Sequence, residues 1–236
     1  MTDILKSLSK AARGDVVLSV RDIKKTFLEG GQPLHILRGG GFDLSRGEII
    51  ALVGPSGCGK STLLQCVGLL DKPSQGSIIV AGTPVQKMDE EMRTHTRRHK
   101  IGFVYQRHNL LNDFTALENV VLPMLANGIE EGVATERAKK LLKSANVLHR
   151  ASHLPGEMSG GEQQRTAVAR SLANNPDILL ADEPTGSLDP QHAGAVFDLL
   201  MDLVRKSKMA MLFVTHDMNL AARADRTITI QDGIIV

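Results

Sequence analysis

Uninterrupted apolar runs alternate with amphipathic stretches along the second half of the chain. The segments "ILLAD" (178–182) and "MAMLFVT" (209–215) stay apolar until their last residue, as in parallel strands that are buried on both faces of a sheet. The segment between them carries apolar residues at the spacing of one helix face, at Val196, Leu199, Leu200 and Leu203. Asp189 is a natural N-cap for this helix, and Pro190 suits its first turn. The pattern predicts an α/β core with a parallel sheet.

The first half of the chain shows a shorter, β-rich pattern. Candidate strands lie at "VVLSVRDI" (16–23), "EIIALVG" (48–54) and "GSIIVAGTPV" (76–85), and a Gly30–Gly31 turn separates the first two. A helix, "STLLQCVGLL" (61–70), follows the second strand. These short strands predict an antiparallel edge beside the parallel core.

Residues 88–155 differ in character, because they are charged and carry helical patterns. Thr115 and Glu118 form the signature of a capping box at the start of one helix. We therefore expect a single domain over the whole chain. In it, a helical subdomain at 88–155 is inserted between two core segments, 1–87 and 156–236.

Composition and charge narrow the possible functions. With 236 residues, of which 42% are hydrophobic, the chain can bury a sizeable core. Its 28 Lys+Arg against 26 Asp+Glu leave a net charge of +2, which is too balanced to indicate nucleic acid. The basic run "RTHTRRHK" (93–100) supports such a partner, or anionic lipid, but a solvated helix face is the favoured interpretation. We expect no nucleic-acid partner.

The sequence shows no sign of a membrane-spanning or secreted chain. No apolar run approaches the roughly 20 residues that span a bilayer, and residues 1–15 lack a signal-peptide core. Cys58 and Cys66 fit no metal spacing and are expected as free thiols of a reducing compartment. His149 and His153 lack a completing ligand and are expected to be solvated. We expect a cytosolic protein that reaches the membrane through a partner.

A glycine-rich loop with the composition of a phosphate cradle occupies residues 54–62. It matches G-x-x-x-x-G-K-[ST] between an apolar strand and a helix. Its glycines let backbone N–H groups converge on phosphates. Lys60 is expected to reach the β- and γ-phosphates of a nucleotide, and the Ser61 hydroxyl to ligate Mg²⁺. The expected nucleotide-binding residues of the loop are Gly54, Pro55, Ser56, Gly57, Cys58, Gly59, Lys60, Ser61 and Thr62.

Polar residues follow three apolar strands. Asp182 closes one strand and suits a Mg²⁺ ligand, and Glu183 directly after it is placed to activate the attacking water. Gln106 and His216 each follow another apolar run. Ligands in open parallel sheets gather at the carboxyl ends of strands, so both residues are placed to reach the nucleotide. For His216 alone, a loop residue that caps a helix is an equally good interpretation.

Five motifs together resemble the ATP-binding-cassette (ABC) ATPases. In chain order they are "GPSGCGKST", "VYQ", "MSGGEQQR", "ILLADEPTGSLD" and "VTHD". The resemblance covers essentially the whole chain and implies a P-loop NTPase core of the ABC type, with an antiparallel β edge and an inserted helical subdomain. It also implies ATP as substrate, Mg²⁺ as cofactor, and a second copy of the chain that closes head to tail over two ATP molecules.

The resemblance implies roles for individual residues. Gln106 corresponds to the Q-loop glutamine, which senses Mg²⁺ and the attacking water near the membrane partner, and His216 to the switch histidine beside Glu183. Phe27 falls where the family usually has a Tyr stacked on adenine. The signature motif, which closes over the ATP of the other copy, and the D-loop aspartate correspond to Ser159, Gly160, Gly161 and Asp189.

The signature departs from its commonest form at two residues, Met158 for Leu and Glu162 for Gln. Neither change removes the Ser-Gly-Gly that contacts phosphate. ATP hydrolysis is therefore still expected.

Within the family, long stretches such as "YQRHNLLNDFTALENVVLPML" are most similar to the lipoprotein-releasing ATPases. Macrolide- and toxin-efflux ATPases and cell-division ATPases share much of the pattern and remain alternatives. The resemblance implies a motor subunit on the cytoplasmic face of the inner membrane, attached through separate transmembrane subunits. A soluble ABC-type protein acting on nucleic acid or ribosomes is less favoured, as is a subunit that binds ATP without cycling.

Overall fold

A parallel β-sheet extended by antiparallel strands forms the centre of the molecule. The computed structural model describes residues 15–236, without the side chains of Pro190 and Gln191. The strands are β1 Val16–Glu29, β2 Gln32–Gly40, β3 Phe42–Ser45, β4 Ile49–Val53, β5 Gln75–Val80, β6 Thr83–Pro84, β7 Ile101–Val104, β8 Ile178–Asp182, β9 Ala210–Val214, β10 Arg226–Gln231 and β11 Ile234–Ile235. The helices are α1 Lys60–Val67, α2 Glu90–Lys100, α3 Ala116–Leu125, α4 Glu131–Ser144, α5 Gly160–Ser171, α6 Pro190–Ser207 and α7 Met218–Ala221.

The N-terminal segment for which no signal-peptide core is expected lies outside the described residues, apart from Asp15. Within residues 15–236, no helix has both the length and the apolar character that crossing a membrane requires.

The sheet combines the two strand arrangements that the sequence predicts. Its order in the described residues is β6-β5-β1-β2-β11-β10-β4-β9-β8-β7, and β3 pairs with β1. Strands β10, β4, β9, β8 and β7 run parallel to their neighbours in that order. The pairs that β1 makes with β2, β3 and β5, and the β5–β6 pair, are antiparallel. The predicted parallel core with an antiparallel edge is confirmed.

One predicted strand is divided by a turn. The segment 76–85 contains most of β5, a turn at Ala81 and Gly82, and β6. Both turn residues have positive φ, 47° and 81°, which is the backbone of a two-residue hairpin whose twist matches its strands. The single-strand prediction is wrong here, because alanine rarely adopts positive φ and so gives little turn signal.

The buried side chains that the structure describes form three clusters. One lies between the sheet and α1, and a second lies between the other face of the sheet and α6, where the rings of Phe197 and Phe213 meet edge to face at 5.2 Å. The third joins α3 and α4 to α5, with Val120, Ala138 and Ala169 fully buried in it. Because α5 begins at the signature motif, the packing of the helical region sets the position of that motif.

The boundaries of the helical subdomain, expected at 88 and 155, stay a prediction. Within that range Ile101–Val104 is a strand of the central sheet, parallel to β8, whereas α3 and α4 pack on each other and on α5. Thr115 and Glu118 form the predicted capping box at the start of α3. The chain thus re-enters the sheet once between α2 and α3.

The basic run at 93–100 lies in α2 and is not uniformly solvated. Arg93 is 4% exposed, and its guanidinium donates to the Leu69 carbonyl at 2.9 Å. Arg97 donates to the same oxygen at 3.0 Å. Leu69 follows the end of α1, where carbonyls lack helical partners. Arg93 and Arg97 therefore bind the segment that follows α1 and do not form part of a solvated helix face.

Candidate active site

Four adjacent strands bring the expected site residues to one edge of the sheet. Strand β4 ends at Val53, directly before the glycine-rich loop, and β8 ends at Asp182. Gln106 and His216 each lie two residues beyond the ends of β7 and β9. Because β4, β9, β8 and β7 are neighbours and parallel, their carboxyl ends lie side by side, as at the ligand sites of open α/β sheets.

The glycine-rich loop has the backbone of a phosphate cradle. Gly54, Gly57 and Gly59 have positive φ of 152°, 77° and 105°. A Cβ on Gly54 would meet the Ile230 carbonyl oxygen at 2.4 Å and Cys58 Sγ at 2.9 Å. Gly59 directly precedes α1, so the loop leads its N–H groups into a helix N-terminus, where anions bind.

Lys60 is held inside this loop. Its Nζ donates to the carbonyls of Gly54 at 2.8 Å and Pro55 at 2.7 Å, and the residue is 9% exposed. These acceptors are neutral, and a phosphate oxygen is a stronger acceptor for an ammonium group. The lysine is therefore placed to exchange loop carbonyls for an incoming phosphate.

A hydroxyl and a carboxylate meet at the start of α1. The Ser61 hydroxyl lies close to the Asp182 carboxylate. Burial raises the pKa of Asp182, and the neighbouring Glu183 carboxylate adds to that rise, while Ser61 and Lys60 oppose it. One hydroxyl and one carboxylate are the oxygen donors that Mg²⁺ takes from a P-loop protein together with nucleotide phosphates. The residues fit this ion, since a cation there would also relieve the repulsion between the two carboxylates.

Glu183 and His216 form a pair on a strained backbone. Glu183 has φ of 45°, a left-handed conformation that costs a non-glycine residue on the order of 1 kcal/mol. Its Oε1 lies 3.2 Å from His216 Nδ1, and the imidazole side chain is 72% exposed. The end of β8 thus places the carboxylate beside the imidazole that follows β9.

Gln106 lies beside the same carboxylate across Gly186. A Cβ added to Gly186 would meet Gln106 Nε2 and Glu183 Oε2, each at 3.0 Å. Ser187 Oγ donates to the backbone carbonyl of Gln106 at 2.7 Å. Gly186 and Ser187 both lie within the motif "ILLADEPTGSLD", and the missing side chain of Gly186 leaves room for the amide and the carboxylate on either side of it.

Gln164 is a buried residue that the sequence interpretation missed. Its side chain is fully buried, and Nε2 donates to the carbonyls of Tyr105 at 3.1 Å and Pro184 at 2.5 Å. Its Oε1 lies 2.5 Å from His108 Nδ1. One amide thus ties α5 to the loop after β7 and to the turn after β8. Nothing in the sequence signals this, since glutamine is mostly a surface residue.

Replacing Gln164 by leucine is expected to lower the free energy of unfolding by about 1–3 kcal/mol for each buried carbonyl left without a donor. Urea denaturation measures this directly. Gln65→Leu, on the exposed face of α1, is the matched control and is expected to change stability by less than about 0.5 kcal/mol. Equal stabilities of the two variants would contradict a tethering role.

The segment Ser159–Gly161 forms the N-terminus of α5. Ser159 is the N-cap and makes a reciprocal capping box with Glu162. A Cβ on Gly160 would meet Leu188 Cδ2 at 3.5 Å, an ordinary contact. The fold of this chain therefore does not require glycine at Gly160, and the exposed position leaves room for close approach from outside.

Asp189 lies at the start of α6, which packs beside Gly161. Asp189 caps α6, with Oδ1 3.2 Å from the His192 backbone nitrogen and Oδ2 2.7 Å from the Nδ1 of the same residue.

The Phe27 ring is 38% exposed, and Lys25 Nζ lies 4.7 Å from its centroid, within cation–π range. Lys25 is anchored by Asp71 at 2.6 Å. The ring is thus partly fixed and partly open to solvent, as stacking on a base requires.

Comparison with known proteins identifies relatives over nearly the whole chain. The family model "ABC transporter" matches residues 37–186. The lipoprotein-releasing system ATP-binding protein LolD of Paramagnetospirillum magneticum is 49% identical over 219 residues, which cover 93% of this chain and 97% of the relative. The protein of the same name from Gluconobacter oxydans is 49% identical over 229 residues, covering 97% of this chain and 99% of the relative.

Solved structures of ATP-binding cassettes share the fold. A dimeric post-hydrolysis state of the cassette MJ0796, bound to ADP and Pi, has a TM-score of 0.85 at 38% identity, covering 92% of this chain and 96% of that one. CbiO1 from Clostridium perfringens, part of the ABC transporter complex cbiONQ, has a TM-score of 0.84 at 26% identity, covering 94% and 87%. By its sequence motifs, its fold and its relatives, the chain belongs to the ABC transporter family.

Proposed function

We propose that this chain is the ATP-hydrolysing subunit of an ABC transporter that releases lipoproteins from the inner membrane. The observation that carries the proposal is the site at the strand ends, where Lys60, the Ser61–Asp182 pair and the Glu183–His216 pair face one edge of the sheet. Three relatives at 47% to 49% identity are all lipoprotein-releasing system ATP-binding proteins. They favour this branch over the efflux and cell-division alternatives.

ATP is proposed to lie over the glycine-rich loop at 54–62, with its adenine against Phe27. The β- and γ-phosphates would replace the loop carbonyls as partners of Lys60, and Ser61 and Asp182 would hold Mg²⁺ beside them. The ion supplies positive charge to the phosphate oxygens when it is bound. The partly buried position of Lys60 strengthens its attraction to phosphate relative to water.

Hydrolysis is proposed to use the Glu183–His216 pair. A water attacks the γ-phosphorus while the bond to the β–γ bridging oxygen breaks, and Glu183 accepts the proton that the water loses. His216, 3.2 Å from the carboxylate, keeps it directed at the water and faces the γ-phosphate. Gln106 borders the same space through Gly186, so its amide is placed to orient the water and the metal ligands.

The segment Ser159–Gly161 is proposed to bind the ATP of a second copy. Its serine and the open position at Gly160 suit a phosphate that arrives from outside the chain. The start of α6 is packed beside it, since a Cβ on Gly161 would lie 3.7 Å from His192, so Asp189 belongs to the same surface. The 38% identical cassette with a dimeric structure supports this arrangement.

The test of the proposed function is the identity of the membrane proteins that bind this chain and the activity of the complex. We expect transmembrane subunits with few membrane spans and large periplasmic domains, placing the chain on the cytoplasmic face of the inner membrane. Proteoliposomes of that complex are expected to release a lipoprotein when ATP is added, and a Lys60→Ala complex is the control without release.

Two outcomes would overturn the proposed cargo or class. A partner bound to an outer-membrane channel and a periplasmic adaptor would indicate efflux. A steeply salt-dependent affinity for DNA or RNA, without a membrane partner, would indicate a nucleic-acid function.

A further inference from the structure

Helix α5 carries a carboxylate, Glu162, next to its N-cap Ser159, the serine that is proposed to contact a phosphate. Glu162 Oε2 accepts hydrogen bonds from the Ser159 backbone nitrogen at 2.8 Å and from its hydroxyl at 3.0 Å. Under the proposed function, that hydroxyl contacts the γ-phosphate of an ATP held by the second copy. The capping box therefore places a negative charge directly behind the group that must receive another negative charge.

Arg150 supplies the opposite charge from a different element. Its Nε lies 2.8 Å from Glu162 Oε1, and its Nη1 lies 3.1 Å from His153 Nε2. His149 Nε2 lies 3.3 Å from the same carboxylate oxygen. The two oxygens of Glu162 thus have separate partners, since Ser159 binds one and the cation the other. Both histidines take part in this network, and the side chain of His149 is also 60% exposed, as expected for a solvated histidine.

Glu162 does not become neutral by binding a proton at physiological pH. Glu162 is 8% exposed, and the hydrogen bond from Arg150, followed by that from the Ser159 backbone, lowers the pKa of its carboxyl to about 2. It is therefore ionised throughout the physiological range. A glutamine at this position would cap the helix without a charge and would need no cation.

We propose that Arg150 is a positioning residue for the segment Ser159–Gly161. By neutralising Glu162, Arg150 keeps the N-terminus of α5 attractive to the γ-phosphate of the ATP that the second copy holds. When the phosphate arrives, the Ser159 hydroxyl can turn from Glu162 to the phosphate, because the carboxylate retains Arg150 and the Ser159 backbone N–H. This inference rests on the proposed two-copy mechanism.

If Arg150 acts by compensating the charge of Glu162, removing that charge should restore what the loss of Arg150 removes, whereas a purely structural role of Arg150 predicts no such rescue. Arg150→Met removes the charge and keeps much of the apolar stem. It is expected to raise the ATP concentration for half-maximal dimerisation by about tenfold or more, because an unpaired buried charge then faces a phosphate. Adding Glu162→Gln removes that charge and is expected to restore most of the lost dimerisation.

The experiment measures ATP-dependent dimerisation by light scattering, in a Glu183→Gln background that retains ATP, and steady-state ATP hydrolysis in chains that keep Glu183. ATP binding to the monomer, followed by calorimetry, is expected to stay within about twofold, since the chain's own loop is a separate site. The loss of ATP-dependent dimerisation in Arg150→Met is expected to become smaller as salt is added, because salt screens the repulsion between Glu162 and the phosphate. Arg205→Met, which breaks the exposed 3.2 Å pair with Asp225, is the matched control.

The outcomes separate this inference from the proposed function. If the chain with Arg150 intact forms no dimer with ATP, the two-copy mechanism fails and the inference fails with it. If that chain dimerises and Arg150→Met dimerises equally well, only the inference is overturned. A loss in Arg150→Met that Glu162→Gln does not reverse also overturns it, and urea denaturation of the single variant then shows structural damage instead.

Discussion

Replacing Glu183 by glutamine is expected to lower the rate of ATP hydrolysis by about 10²–10⁴-fold, the usual contribution of a general base. Glutamine has the same shape but cannot accept the proton of the attacking water. Its carbonyl oxygen can still lie beside the imidazole of His216, whose Nδ1 is 3.2 Å from the carboxylate in the wild type. ATP binding is expected to persist, because the glycine-rich loop and Lys60 lie on another strand end.

Steady-state phosphate release and calorimetric ATP binding measure the two effects separately. Glu91→Gln, at an exposed position in the first turn of α2, is a matched control for loss of one carboxylate and is expected to hydrolyse ATP normally. Near-normal turnover in Glu183→Gln would reject Glu183 as the base. Lower turnover that is accompanied by loss of ATP binding would place this carboxylate in binding rather than in proton transfer.

Gly160→Asp is expected to abolish ATP-dependent dimerisation and to lower hydrolysis by on the order of 10²-fold or more, as loss of preorganised oxyanion stabilisation does. The added carboxylate would repel the γ-phosphate of the second copy's ATP. The variant should fold, because a Cβ there meets Leu188 at an ordinary 3.5 Å and an acidic residue in the first turn of a helix is favourable.

The decisive measurement is the mass of the complex in solution with ATP, again in a Glu183→Gln background. Gly194→Asp, at an exposed helical glycine of α6 with open space around it, is the control for an added carboxylate and is expected to dimerise. The Gly160→Asp monomer is expected to bind ATP with unchanged affinity. Normal hydrolysis by Gly160→Asp would show that the mechanism does not use two copies.

Much of this site could be predicted from the sequence because its elements are local. The phosphate loop needs glycines at fixed spacings within nine residues, from Gly54 to Thr62. The caps at Ser159 and Asp189 depend on side chains that reach backbone nitrogens three residues away. Apolar runs identify the buried parallel strands, and the residues that follow them necessarily lie at strand ends.

The prediction was weaker where a residue adopts an uncommon backbone or a polar residue is buried. The Ala81–Gly82 turn was missed because alanine gives little signal for positive φ. The buried amide of Gln164 and the inward Arg93 were missed because these residue types are usually exposed. Neither is visible in a local pattern, since their partners lie 20 or more positions away in the chain.

The motifs and the parallel core follow from the sequence alone, and so does the position of Asp182, Gln106 and His216 at or after strand ends. How these elements come together depends on the fold. The 3.2 Å contact between Glu183 and His216 depends on β8 and β9 being neighbours, and the Arg150–Glu162 pair joins a turn to the start of α5. Such contacts join segments that the order of strands and the packing of helices bring together, and no spacing along the chain encodes that order.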